Sequence, residues 1–190
     1  MAISRLTIDG YGQVEINNCA FRRDGRIEAQ AAPDTTDFSS KLVENGMLLS
    51  VDAATRKVFL ADDATAKALP IGLVYSAEHL YENGKTGLKN FALKGKEDFL
   101  PRIGYLAVGD KFTTNCIAYD SAVDSSWTTE SLFIAGLTTF ATSPIYGGIC
   151  DEGCILVSAS APTEGPKLKV VAKTTMPDGQ LGVKFQVLEA

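Results

Sequence analysis

The 190 residues include one histidine, one tryptophan and four cysteines, and they contain no long apolar run. Each shortage excludes something. A lone histidine, His79, rules out the paired-histidine zinc motifs and leaves any Ser/His/Asp arrangement a single candidate base. No Gly-x-Ser-x-Gly elbow accompanies it, so His79 reads as a structural or solvated residue at the end of a strand-like run. Four cysteines are too few for a disulfide scaffold, which favours synthesis in a reducing cytoplasm. The longest strongly apolar stretch, Leu132 to Leu137, is six residues, whereas crossing a bilayer takes about 20. A soluble chain is expected. The first residues alternate apolar and polar without an apolar core, so no secretory signal of the usual kind is expected. Basic residues are also in the minority: 18 against 23 acidic ones give a net charge of −5. That balance disfavours nucleic-acid binding, which needs cations to displace counterions.

The residues that are present alternate with period two, rich in Val, Ile, Thr, Phe and Tyr, between clusters of Gly, Asp, Asn and Pro. This is the pattern of short strands and tight turns, and it predicts a mainly β fold, a small β-barrel or sandwich. At most two short helices are expected, over Asp62 to Leu69 and over Ser131 to Phe140, the latter equally readable as a buried strand. Register suggests three hairpins. A three-residue loop, Arg23-Asp24-Gly25, would set Phe21 opposite Ile27 and Cys19 opposite Ala29, with Gly25 left-handed. A two-residue loop, Gly109-Asp110, would set Ile103, Tyr105 and Ala107 opposite Cys116, Thr114 and Phe112. A two- or four-residue loop in Met176 to Leu181 would align Leu181, Val183, Phe185 and Val187 with Met176, Thr174, Ala172 and Val170. The Pro/Asp/Thr cluster 32–37 and the stretch 160–166 read as linkers. They divide the chain into an N-terminal arm or hairpin (1–32), a barrel-like domain (33–160) with an inserted polar segment (120–148), and a C-terminal linker and closing hairpin (161–190).

Candidate chemistry is sparse. Asn83-Gly84-Lys85-Thr86 carries the end of a phosphate loop, but the required first glycine is His79, and an Asn-Gly turn explains the same residues. Gly10-Tyr11-Gly12 lacks the third glycine of a dinucleotide fingerprint, since position 15 is Glu15. Cys150 and Cys154 are spaced for metal ligation or a disulfide, yet Cys19 and Cys116 lie far off in sequence and supply no second pair. The acidic pairs Asp62-Asp63, Glu97-Asp98 and Asp151-Glu152 lack the spacing of a calcium loop. No catalytic residue, cofactor or metal is therefore expected. Arg22, Arg23 and Arg26 form a cationic hairpin tip on an acidic chain and are the candidate partner-binding residues. Trp127 with Tyr119 is the one hint of an aromatic carbohydrate-binding surface.

The segments Asn45 to Asp52, Arg56 to Asp62, Leu69 to Tyr75 and Pro101 to Asn115 run in the order glycine, strand, turn, strand, Pro-x-Gly, strand and Gly-Asp hairpin. This order resembles the small β proteins that decorate the capsids of tailed bacteriophages. The opening Met1 to Val14 and the closing Met176 to Val187 are similar to phage structural proteins of Gram-positive hosts. The resemblance implies a small β-barrel, no catalysis and function through interfaces. It implies a decoration or cement protein on the outer capsid surface of the virion, made in the host bacterial cytoplasm. The implied partners are the major capsid protein and copies of the chain itself, as a trimer or in clusters around capsid symmetry axes, with no nucleic acid and no membrane. Other expectations are a tail, baseplate or head-fibre component, or a carbohydrate- or host-surface-binding β module.

Overall fold

The computed structural model describes residues 3–21, 29–62, 64–76, 81–82, 85–86, 100–122 and 124–190. The first strands are β1 (Ile3–Arg5), β2 (Val14–Asn18), β3 (Ala29–Gln30), β4 (Ala32–Pro33), β5 (Leu48–Asp52) and β6 (Lys57–Phe59). Helix α1 (Ala64–Lys67) leads into β7 (Ile71–Val74), a small ladder of β8 (Tyr81–Glu82) with β9 (Lys85–Thr86), and then β10 (Arg102–Gly104), β11 (Lys111–Thr114) and β12 (Ile117–Asp120). Helix α2 (Glu130–Gly136), continued by a 3-10 turn at Leu137–Ala141, precedes β13 (Tyr146–Gly148), β14 (Ile155–Ser158), β15 (Lys167–Thr175) and β16 (Leu181–Glu189). The fold is mainly β, and the described residues form two short α-helices, inside the two stretches that the sequence allowed for them.

Two large sheets carry the architecture. One has eight strands in the order β1-β12-β14-β13-β15-β16-β11-β2, the other six in the order β3-β10-β7-β5-β6-β4. All six strands of the second sheet lie between β2 and β11, which are themselves antiparallel neighbours in the first. The smaller sheet is thus inserted between two paired strands of the larger one. The strand partition crosses the linker clusters: segment 1–32 contributes strands to both sheets, and β15 and β16 of segment 161–190 lie inside the larger one.

Strand β5 is an unbroken run, Leu-Leu-Ser-Val, because both of its faces are covered. Leu48 packs into one apolar cluster with Leu73, Phe112, Ile117 and Phe185, and Leu49 and Val51 pack into a second with Val58, Ile103, Cys116 and Cys154. Each cluster draws on both sheets. Helix α2 starts at Thr129, whose side chain accepts from the Leu132 amide, and it buries Phe133 at the helical spacing from Leu137. Phe133 stacks on Tyr119 at 4.6 Å and meets the edge of Trp127 at 5.2 Å.

The second and third hairpin registers are corrected in full, and the first at its Cys19–Ala29 pair. Ala29 pairs with Ile103 and not with Cys19; Ile27 and Gly25, and with them the Phe21–Ile27 pairing, lie outside the described residues. The stretch from Ile103 to Cys116 is a corner between sheets, since β10 belongs to the small sheet and β11 to the large one. Gly109, at φ 96°, is the third residue of a turn closed by the Asp110 amide on the Ala107 carbonyl, not the first residue of a two-residue loop. The closing hairpin turns through three residues, Pro177-Asp178-Gly179, with Gly179 left-handed at φ 90° and the Met176 amide bonded to the Gln180 carbonyl. That loop places Leu181 opposite Thr175, and a bulge between Val170 and Ala172 then shifts the register, so that Phe185 faces Val170 and Val187 faces Leu168. Apolar matching thus overrides the alignment set by the turn.

Candidate functional site

Strand β1 lies beside β12, with Arg5 in register with Ala118, and β12 runs parallel to β14 with Ile117 opposite Ile155. The residues just before that pair, Cys116 and Cys154, therefore lie side by side, with Sγ atoms 3.6 Å apart. Across the gap, the turn before β5 supplies Glu44 and Met47. Arg5 Nη1 and Nη2 donate to the Glu44 carboxylate at 3.0 and 2.5 Å, and Glu44 also accepts from the Gly12 amide at 2.6 Å. These groups surround a cavity of about 400 Å³ whose walls include Ile3, Arg5, Leu42, Glu44, Met47 and Cys154. At its mouth Lys41 is paired with the exposed Glu152 at 3.0 Å.

Burial works against the charge on Arg5, but its bond to Glu44 and the field of Cys116 and Cys154 outweigh it and raise the guanidinium pKa. The hydrogen bond from Cys116 draws the Cys154 thiol below its ordinary value; burial opposes this, and Arg5 reinforces it. Cys116, as the donor and fully enclosed, is pushed up. Burial raises Cys150 to about 12, and burial with the neighbouring Asp110 does the same for Cys19. The pair that the spacing suggested, Cys150 with Cys154, is not the one that forms: Cys150 opens the turn closed by the Gly153 amide, and Cys154 bonds instead to Cys116. A separation of 38 residues hid that contact from any local motif. Among the described residues no group of three or more His, Cys, Asp or Glu side chains is placed to hold a metal ion.

The other acidic side chains in the interior serve the backbone. Asp110 accepts from the amides of Ala20, Phe21 and Ala107 at 2.8, 3.1 and 2.9 Å, which ties the chain after β2 to the corner between the sheets. Phe21 is held there at φ 52° with its ring 4.8 Å from Tyr75. Asp34 takes the amides of Thr36 and Asp37 and the Lys57 ammonium, and Asp120 takes the amide of Ala122. Asp151 and Glu152 lie exposed on a turn. His79, Asp63, Asn83, Gly84, Glu97 and Asp98 are outside the described residues, as are Arg22, Arg23 and Arg26. The flanks of the arginine segment are fixed, however, with Phe21 on Asp110 and Ala29 against Ile103.

The aromatic surface suggested by Trp127 and Tyr119 does not exist: Trp127 is 3% exposed, and both rings pack around Phe133. Large apolar side chains do reach solvent elsewhere. Val108 is 72% exposed at the tip of the corner, and Ile16 is 40% exposed on β2, the last strand of the large sheet. No helix among the described residues is long and apolar enough to cross a membrane. No protein-family model, curated protein or solved structure matches the chain.

Proposed function

We propose that this chain is a non-enzymatic structural protein of a tailed-phage virion, a decoration or cement protein bound to the outer surface of the capsid. One observation carries the reading: the interior acidic side chains Asp34, Glu44, Asp110 and Asp120 all accept bonds from the protein's own amides or cations. Their chemistry is used to fix loops onto a β scaffold, as expected of a protein that presents surfaces. The contact face would include β2 with Ile16, the corner with Val108, and the Arg22, Arg23 and Arg26 segment that starts one residue past Phe21. An exposed terminal strand, an apolar tip and three cations close in sequence suit a protein partner better than a small ligand. The partners are the major capsid protein and further copies of the chain, grouped so that several weak contacts act together.

A cement protein stabilises a head only by binding the assembled lattice more tightly than free subunits. Heat-induced release of DNA should therefore occur at a higher temperature from decorated heads than from stripped ones, and the Arg22/Arg23/Arg26→Ala triple variant should lose part of that protection. Equal release from decorated and stripped heads would sink the cement role. Full protection by the variant would remove only the arginines from the contact. Copy number in purified virions separates the capsid, on the order of hundreds, from a tail, baseplate or head-fibre position with far fewer sites.

A further inference from the structure

We propose that Cys154 and Cys116 are a peroxide-oxidisable thiol pair, in which Cys154 on the wall of the Arg5 cavity reacts first and Cys116 then closes a disulfide joining β14 to β12. This goes beyond a structural role in the virion and does not depend on it. The parallel register of Ile117 with Ile155 sets the two cysteines directly before adjacent strands, and the Ile155 amide donates to the Cys116 carbonyl at 3.0 Å. Neighbouring strands are about 4.8 Å apart, within the Cα separation that a disulfide bridges. The sulfurs, 3.6 Å apart, need to approach by only about 1.5 Å to reach bonding distance. Cys154 is 1% exposed overall, yet it forms part of the wall of a cavity of about 400 Å³. A water molecule occupies roughly 30 Å³, and a small hydroperoxide needs little more.

The chemistry balances with a hydroperoxide as oxidant. The Cys154 thiolate attacks one peroxide oxygen, the O–O bond breaks, hydroxide leaves, and Cys154 becomes a sulfenic acid. Cys116 sulfur then attacks Cys154 sulfur, the S–O bond breaks, and the departing oxygen leaves as water with the Cys116 proton. The hydroxide from the first step takes the proton that Cys154 gave up on ionising. Two sulfurs have lost two electrons and the peroxide has gained them. Arg5, on the wall of the same cavity, favours the Cys154 thiolate, and the carboxylates of Glu44 and Glu152 partly oppose it. Once Cys154 is a sulfenic acid, its negative charge no longer holds the proton on Cys116. Cys19 and Cys150, both pushed up to about 12, lack thiolate to compete.

The test uses reduced full-length protein and stoichiometric hydrogen peroxide, followed by peptide mapping. The expected product is a Cys116–Cys154 linked peptide, formed equally in Cys150→Ser. In Cys116→Ser, dimedone should trap a sulfenic acid at Cys154; in Cys154→Ser, oxidation of Cys116 should slow at least about tenfold. If Cys116→Ser or Cys154→Ser fails to fold, the wild-type map decides alone. A Cys150–Cys154 link, dimedone on Cys19 or Cys150 ahead of Cys154, or no Cys116–Cys154 peptide at all would overturn the assignment.

Discussion

The two large sheets are held by different means. In the eight-stranded sheet the longest strands, β15 and β16, have nine residues each and pair along their length, so between these two the backbone ladder carries the polar satisfaction. In the six-stranded sheet no strand exceeds five residues. There, side chains extend the ladders. The Asn45 amide bonds to both the N–H and the C=O of Ser76, imitating a strand partner, and the Ser76 hydroxyl accepts from the Arg102 amide. Asp37 takes the Leu60 amide, and Asp110 holds the corner through which the chain returns to the large sheet. Short strands give few ladder bonds for each residue ordered, and buried polar side chains make up the difference. The inserted sheet should therefore be sensitive to single polar substitutions, and the large sheet tolerant of them.

Asp110→Ala is the strongest way to break the contrast. It leaves three amides, two of them beside the left-handed Phe21, without their acceptor, and it should cost about 3–5 kcal/mol. A urea unfolding midpoint measures this. A loss under about 1 kcal/mol would mean that water replaces the carboxylate at little cost, and that the corner is not a keystone. Asn45→Ala comes next, at about 2–3 kcal/mol for two lost buried bonds. Hydrogen exchange should show faster opening at residues 48–52 and 71–74 and little change at 168–187. Equal acceleration in both would show that the two sheets open as one unit.

Period-two alternation made the strands legible, whereas 131–140 stayed open between helix and buried strand until Phe133 and Leu137, one helical turn apart, were seen in the core. Sheet membership was not legible. Gly109-Asp110 looks like a hairpin because its flanks alternate, yet Asp110 is bonded to Ala20 and Phe21, some 90 residues away. Turn residues state that the chain reverses or bends, not which sheet it joins afterwards. The closing hairpin fails more narrowly, since only the bulge near Val171 reconciles its three-residue loop with Phe185 facing Val170. The candidate site was hidden for a similar reason: Arg5, Glu44, Cys116 and Cys154 share no local motif and meet because β1, β12 and β14 are neighbours and the turn before β5 brings Glu44 to Arg5.

Acid offers a graded probe of the smaller sheet. Burial of Asp34 pushes its carboxyl up, but the Lys57 ammonium and the amides of Thr36 and Asp37 outweigh burial and hold it below the usual 3.8. Its contribution is therefore present above the unfolded value and lost as pH falls through the lower, folded one. Asp37 has the opposite sign: burial raises its pKa despite the Leu60 amide, so its contribution is present below the unfolded value and fades as pH rises through the folded one. Asp34→Asn should cost about 1–2 kcal/mol at pH 7 and flatten the loss of stability below about pH 4. Asp37→Asn keeps an oxygen for the Leu60 amide but removes that opposing contribution, so its loss of stability in acid should be steeper than that of wild type. Identical acid profiles for Asp34→Asn and wild type would assign the acid sensitivity to other groups.

Gly179→Ala should have the smallest effect and sharpen the comparison from the side of the large sheet. Gly179 is left-handed at φ 90°, and an added Cβ meets nothing within 4 Å, so the cost is backbone strain alone, about 1 kcal/mol. Gly46, before β5, provides the contrast: it is left-handed at φ 88°, but a Cβ there would sit 2.1 Å from Thr114 Oγ1 and 2.9 Å from Cys116 Cβ. Gly46→Ala adds overpacking between the sheets to the same strain, and its total should exceed that of Gly179→Ala by about 1–3 kcal/mol. The difference between the two variants isolates the contact between the inserted turn and the large sheet, because the strain is common to both. Equal urea midpoints would mean that Thr114 moves aside freely, and that this junction is looser than the paired strands on either side of it.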